Sequence, residues 1–329
     1  MIKLYSSIKK ELPMKKIFSI VLIVISVLSA CKNTTRRKNN SVVSETSTVS
    51  ANLSLSLFQT IRGVGAASGL VYEAPFLNIV SDNSDVLYRY NLQQDTLLKV
   101  NLREDDQWLE NRLKKQKSDY ESIIKTSKGF QIMASGSKKK RHRWVNISKS
   151  DFKAHLQSAE QLYDSLKAMA HIDKHNFNIE GSVLSGDTLL LFNRGNGPNV
   201  QNGIFQIINY AKPHQKISFH PIELPTIKST AYGFTDATKV GSKIYFLAAA
   251  EANKSNYADG AILGSLLGRI DWSDLSLQET TVISKKHKFE GITPYRKKGS
   301  EISFLLCEDP DNDQVQTTIY KLSVPLPSI

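Results

Sequence analysis

Cysteine is almost missing from this chain: Cys31 and Cys307 are the only two in 329 residues. Two thiols cannot build a disulfide framework, so the folded part must rest on its apolar core. The short motifs of common chemistries are also missing. There is no HExxH, GxSxG, P-loop or dinucleotide fingerprint, and the histidines at 142, 155, 171, 175, 214, 220 and 287 form no paired-ligand spacing. The formal net charge of +12 comes with no basic helix or RNA-binding signature, which argues against nucleic acid as a partner. Apolar residues run unbroken only near the N-terminus, over a stretch too short for a stop-transfer helix.

That stretch has a pattern of its own. From Met14 the chain reads "MKKIFSIVLIVISVLSAC", with Lys15 and Lys16 before the apolar run and small residues before Cys31. This is the layout of a signal peptide over 1–30, with Met14 the better start. "LSAC" resembles the lipobox of bacterial lipoproteins, which implies cleavage before Cys31, lipidation of its sulfur, and anchoring to the bacterial outer membrane. An ordinary signal peptide or an uncleaved anchor are the alternatives. Residues 1–30 hold five Lys and one Glu, so their removal lowers the net charge from +12 to +8. Residues 31–51 are polar and free of aromatics and read as a flexible tether, whose Lys32, Arg36, Arg37 and Lys38 could lie on anionic headgroups. Residues 52–329 are enough for one sizeable domain, expected as a monomer.

Within that domain one grammar recurs five times: a small or acidic residue, a short strand, a turn, an apolar strand, a polar loop and a third strand. The stretches start near residues 67, 120, 179, 234 and 289. Aligned on Ser68, Glu121, Glu180, Asp236 and Glu290, they step by 53, 59, 56 and 54 residues. Fourth strands can be placed at "LLKVNL", "KISFHPIEL" and "LQETTVI". Repeats of this kind predict an all-β propeller with five blades, or six if one is degenerate. "LSLSLFQTI" (53–61) is then the strand that completes the last blade and closes the ring. Apolar residues at helical spacing, from Phe152 and Leu156 to Leu166 and Met169, predict one helical insertion at about 151–170 on the outside of blade two.

In a propeller the leading residue of each innermost strand sits near one mouth of the central channel. Ser68, Glu121, Glu180, Asp236 and Glu290 would converge there, with Thr235 as an alternative to Asp236 because the fourth repeat fits two registers. Clustered carboxylates must take up protons or a cation. Oxygen ligands with room for water suit Ca²⁺ first and Mg²⁺ second. The acids could instead bond backbone N–H groups or stay solvated in a wet channel. The loops between second and third strands share that mouth and bring Arg141, Arg143, Arg194, Lys254 and Arg269, candidates for gripping an anionic ligand. Asp82, Asp85 and His142 are the acid–base candidates. "DPDNDQ" (309–314) lacks the glycine and glutamate of an EF-hand loop and reads as a turn. Cys307 reads as a packed apolar residue.

The stretches "ASGLVYEAPFLNIVSDNSDVLYRYN" and "FEGITPYRKKGSEISFLL" resemble blade starts of the calcium-activated nucleotidases (apyrases) and of the phytase-like esterase propellers with their lipoprotein relatives. The resemblance implies five blades and one Ca²⁺ in the channel. Carried over, its metal-holding residues fall on Ser68, Glu121, Glu180 and Glu290, with Thr235 or Asp236 in the fourth blade, and Asp82 falls near the nucleotide site. The second and third loops hold no counterpart of the nucleotide-gripping residues. Two functions are therefore expected to compete. One is an anchored, Ca²⁺-binding propeller that takes an anionic ligand or an envelope partner; the other is a metal-dependent hydrolase of phosphate esters.

Overall fold

The computed structural model describes residues 53–196, 201–252, 260–310 and 314–326. The signal segment, Cys31, the tether and Lys254 lie outside the described residues, as does part of "DPDNDQ".

Twenty strands form five four-stranded antiparallel sheets. Blade one is Ala67–Glu73, Phe76–Ser81, Val86–Asn91 and Thr96–Asn101. Blade two is Tyr120–Thr126, Gly129–Ala134, Arg143–Ser148 and Ala154–Ser158. Blade three is Ile179–Ser185, Thr188–Asn193, Gly203–Ile208 and Lys216–Pro221. Blade four is Gly233–Val240, Lys243–Glu251, Ile262–Asp271 and Leu277–Ser284. Blade five takes Phe289–Lys298, Glu301–Glu308 and Gln316–Pro325 from the C-terminal end and its outer strand, Ser54–Arg62, from the other end of the domain. Ser54 pairs with Ser323 and Arg62 with Gln316, so the ring closes as the sequence suggests, with five blades rather than six.

The order of strands within a blade follows from apolar content. Second strands such as Gly129–Ala134 are buried along their whole length, because neighbouring blades cover both faces. An outer strand such as Thr96–Asn101 holds no fully buried residue and mixes polar with apolar side chains. Tight hairpins join first to second strands, and Gly186 and Gly241, both at φ of 60°, supply the left-handed residue those turns need.

The apolar interior is divided into five wedges, one between each pair of neighbouring blades. Blades three and four meet through Phe192, Phe234 and Phe246. Blades four and five meet through Tyr245, Phe289 and Phe304, and blades five and one through Leu70, Ile79 and Leu305. Val80, Tyr120 and Ile132 fill the wedge between blades one and two.

The fifth wedge, between blades two and three, takes in the single α-helix among the described residues, Glu160–Ala170. The expected helical stretch from 151 is thus corrected. Residues 154–158 form the outer strand of blade two, pairing with Arg143–Ile147, whose backbone would otherwise be an open edge. Phe152 lies under the Arg89 guanidinium, 3.9 Å from its ring centre, instead of on a helix face. Tyr163 and Leu166 anchor the helix in the wedge rather than on the outside of blade two. The Tyr163 hydroxyl donates to the Ala134 carbonyl at 2.6 Å and accepts the Trp144 indole N–H at 2.7 Å.

The connector from blade one to blade two, residues 102–119, is tied to the loop between the second and third strands of blade one. Asp85 N–H donates to Leu109 O at 2.7 Å, Arg112 N–H to Asn83 O at 2.8 Å and Asp119 N–H to Asp82 O at 2.8 Å.

Candidate functional site

Each innermost strand carries one extra residue near its start, where its pairing with the second strand slips. The skipped residues are Ser68, Glu121, Glu180, Thr235 and Glu290. A bulge of this kind re-aims one side chain out of the ladder. It settles the ambiguity of the fourth repeat: Thr235 is the structural equivalent, and the steps become 53, 59, 55 and 55 residues. Asp236 sits one residue further, where the other blades have Gly69, Ser122, Gly181 and Gly291. Its carboxylate accepts the Ile292 N–H at 2.8 Å, and burial, partly offset by that bond, raises its pKa well above the usual range.

The five bulge residues divide into two kinds. The hydroxyls of Ser68 and Thr235 donate to the next blade's backbone, at Tyr120 O and, over 2.7 Å, at Phe289 O. The other three are glutamates, all buried: Glu121 and Glu290 are joined in a charged cluster by Glu180. Residues two positions upstream share that side of the chain, since strands repeat every two residues. "DYE", "NIE" and "KFE" thereby bring Asp119, Asn178 and Lys288 to Glu121, Glu180 and Glu290. Asn178 donates its amide to Glu180, and Lys288 lies 2.9 Å from Glu290.

The cluster alternates in sign. Arg194 reaches Glu251 at 2.9 Å and Glu180 at 3.8 Å, and Lys288 approaches Glu251 at 3.7 Å. On the other side Lys117 pairs with Asp82 and lies 3.1 Å from Asp119, whose second oxygen accepts Arg141 at 2.8 Å. Candidate ligand atoms of Asp82, Asp119 and Glu121 all lie within 4.8 Å of one another. Six carboxylates (82, 119, 121, 180, 251, 290) and four cations (117, 141, 194, 288) are thus joined by these contacts among the described residues, and the buried Asp236 adds its repulsion to Glu180 and Glu290.

That excess of two negative charges shows in the acidities. Burial pushes Glu121 well above the usual carboxylate range, and the charges of Glu180, Asp119 and Asp82 push it further. Burial also drives Glu180 up to about 8, against the pull of Arg194. Asp82 is raised by burial, which the Lys117 charge opposes. Asp119 feels the same burial but is held below its usual value by Lys117 and Arg141. A site in this state takes protons, or a cation with more than one charge.

The remaining sequence candidates fall elsewhere. Arg141 and Arg194 point inward as counter-ions instead of lining an outer rim. Arg143 hydrogen-bonds Ser118 and, with Asp85, Arg103 and Tyr120, lines a separate cavity of about 460 Å³ between blades one and two. Arg269 lies well down the third strand of blade four, 3.3 Å from Glu279, away from the cluster. His142 places Nε2 3.1 Å from the Gly136 carbonyl and meets Tyr163 edge-on, and burial lowers its pKa. Cys307 is fully buried beside the Ala67 carbonyl. Lys117, Asp119, Glu251 and Lys288 are members that the repeat alignment does not single out. Three of them carry a signal, either the residue two before a bulge glutamate or the end of a second strand; Lys117, in the connector, has no counterpart in other repeats.

Comparison with known proteins agrees with this architecture. The fold is similar to that of the major Malassezia sympodialis allergen Mala s 1, at 14% identity and a TM-score of 0.50, covering 81% of this chain and 96% of that one. An exo-1,5-α-L-arabinanase from a bovine ruminal metagenomic library aligns at 10% identity and a TM-score of 0.45, covering 83% and 99%. The likeness to Mala s 1 is one of fold alone. Among curated protein sequences none matches. Residues 63–324 match the model of a family of unknown function, DUF6929, and the chain belongs to that family.

Proposed function

We propose that this chain is a lipid-anchored envelope propeller whose channel mouth binds a divalent cation, Ca²⁺ before Mg²⁺, through Asp82, Asp119 and Glu121. The observation that carries the reading is the convergence of three carboxylates within 4.8 Å in a cluster where acids outnumber bases by two. Carboxylate oxygens with no thiol or imidazole among them are the ligands of a hard cation, and Ca²⁺ tolerates irregular geometry better than Mg²⁺. The resemblance of the blade starts to calcium-activated nucleotidases supports the same choice. Thermal unfolding of the purified protein tests it, first in EDTA and then with Ca²⁺ or Mg²⁺ restored. At a hundredfold excess over Kd the native state gains about 2.7 kcal/mol. Asp119→Asn with Glu121→Gln should remove that gain; a shift that survives in the double variant places the ion elsewhere.

Binding is preferred to phosphate-ester hydrolysis because all three acid–base candidates are committed. Asp82 is held by Lys117, Asp85 by Arg112 and Ser118, and His142 hydrogen-bonds Gly136 away from the cluster. Arg141 and Arg194 are likewise engaged by carboxylates, which leaves Arg143 as the arginine placed to meet an anionic ligand or partner. The anchor is tested separately. Cys31→Ser should release the protein from outer membranes, and continued membrane association would refute lipidation at that residue.

A further inference from the structure

We propose that Lys117 is the resident counter-ion of the Asp82–Asp119–Glu121 site, and that a divalent cation binds by expelling its ammonium. Lys117 thereby sets a preference for divalent over monovalent ions. The inference rests on the cation-binding reading above and adds a residue outside the repeat pattern.

Lys117 forms ion pairs with two of the three candidate ligands, Asp82 and, at 3.1 Å, Asp119. The third ligand is different. Glu121 is only 8% exposed, and among the described residues no hydrogen bond or ion pair reaches its carboxylate. A largely buried carboxylate close to two others, with no ion pair of its own, is a ligand in waiting. A Ca²⁺ ion holds its oxygens at roughly 2.3–2.6 Å, so it cannot share the space between Asp82 and Asp119 with an ammonium.

The two cations that touch the site differ in how easily they can leave. Arg141 is held by Asp119 at 2.8 Å and by the Ser137 hydroxyl at 2.7 Å, with its side chain 8% exposed. Lys117 is 18% exposed, sits in the connector and hangs on a flexible four-carbon stem, so it can swing to water. Charge decides which ion can replace it. Exchanging the ammonium for Na⁺ or K⁺ leaves the net charge unchanged and requires dehydration of the newcomer. Exchanging it for Ca²⁺ moves the cluster one charge closer to neutrality.

The test uses the full chain, freed of metal by chelation. Calorimetric titration compares wild type, Lys117→Gln and Lys117→Arg with Ca²⁺, and then with Na⁺ and K⁺ at matched ionic strength. Lys117→Gln should bind Ca²⁺ at least tenfold more tightly and acquire a response to Na⁺ or K⁺ that wild type lacks; Lys117→Arg should bind no more tightly than wild type. Equal or weaker Ca²⁺ binding by Lys117→Gln overturns the role of Lys117 while leaving the cation site intact. Absence of Ca²⁺ binding in wild type and Lys117→Gln alike overturns the underlying reading instead. A second readout needs no variant. Lysine acylation followed by mass spectrometry should label Lys117 several-fold faster with Ca²⁺ than with EDTA, and an unchanged rate in a protein that binds Ca²⁺ rejects the exchange.

Discussion

Glu180 contributes to the pH behaviour expected of the metal-free protein, alongside Glu121, Asp82 and Asp236, which burial raises in the same direction. The Glu180 pKa rises from the ordinary 4.5 of a free glutamate to about 8 on folding, first through burial, so the native state holds a proton that the unfolded chain releases. Stability from this group is fully present below about pH 4.5 and is lost as the pH climbs toward 8. Thermal midpoints measured in EDTA should therefore fall across that window, and Glu180→Gln should flatten the fall. An unchanged slope in the variant would assign the titration to another group. At this scale the sequence was partly legible. The bulge glutamates stand out because they recur, and "DYE", "NIE" and "KFE" hold the information that placed Asp119 and Lys288 beside them. The choice between Thr235 and Asp236 was not legible, because both are polar and a one-residue bulge decides the register. Lys117 was hidden for another reason: a connector residue has no counterpart in the repeats against which to be noticed.

Among the elements, the helix and the closing strand show how tertiary pairing overrides local pattern. Phe152 and Leu156 fit helical spacing, yet 154–158 is a strand, because the third strand of blade two needs a partner more than the helix needs another turn. What remains helical is fastened by one hydroxyl. Tyr163→Phe leaves the buried Trp144 N–H without its acceptor and should cost about 1–3 kcal/mol in urea unfolding, with the fold retained. The closing strand was readable from an unassigned alternating segment at one end and an incomplete blade at the other. Ile61 is 1% exposed within it, so Ile61→Ala should cost about 2–5 kcal/mol. Deleting residues 53–62 should do more, baring the Gln316–Pro325 edge and shifting the protein toward aggregates on size-exclusion chromatography.

For the molecule as a whole, the fold was more legible than the site, and the reason is physical. Blade number and strand order follow from a repeated alternation spread over the whole domain, where errors at single positions average out. A charged cluster depends on which side chains meet across blades that are about 55 residues apart, and that information is not local. The five wedges also imply that no blade owns its core. Each apolar cluster is shared by two neighbours, so loss of any one blade leaves two half-cores open to water. Unfolding followed by fluorescence and by circular dichroism should give coincident single transitions.

The pairing of Ser54 with Ser323 also makes the domain, in connectivity, nearly a circle. Its first and last strands run side by side in one sheet, and the order of the blades around the ring has no natural beginning. A circular permutant that joins residue 326 to residue 53 through a short flexible linker, and opens the chain at the Gly186–Asp187 hairpin, preserves every strand pairing of the ring. It should fold with its cluster of acids intact, carrying its new ends on the first-to-second-strand hairpin of blade three.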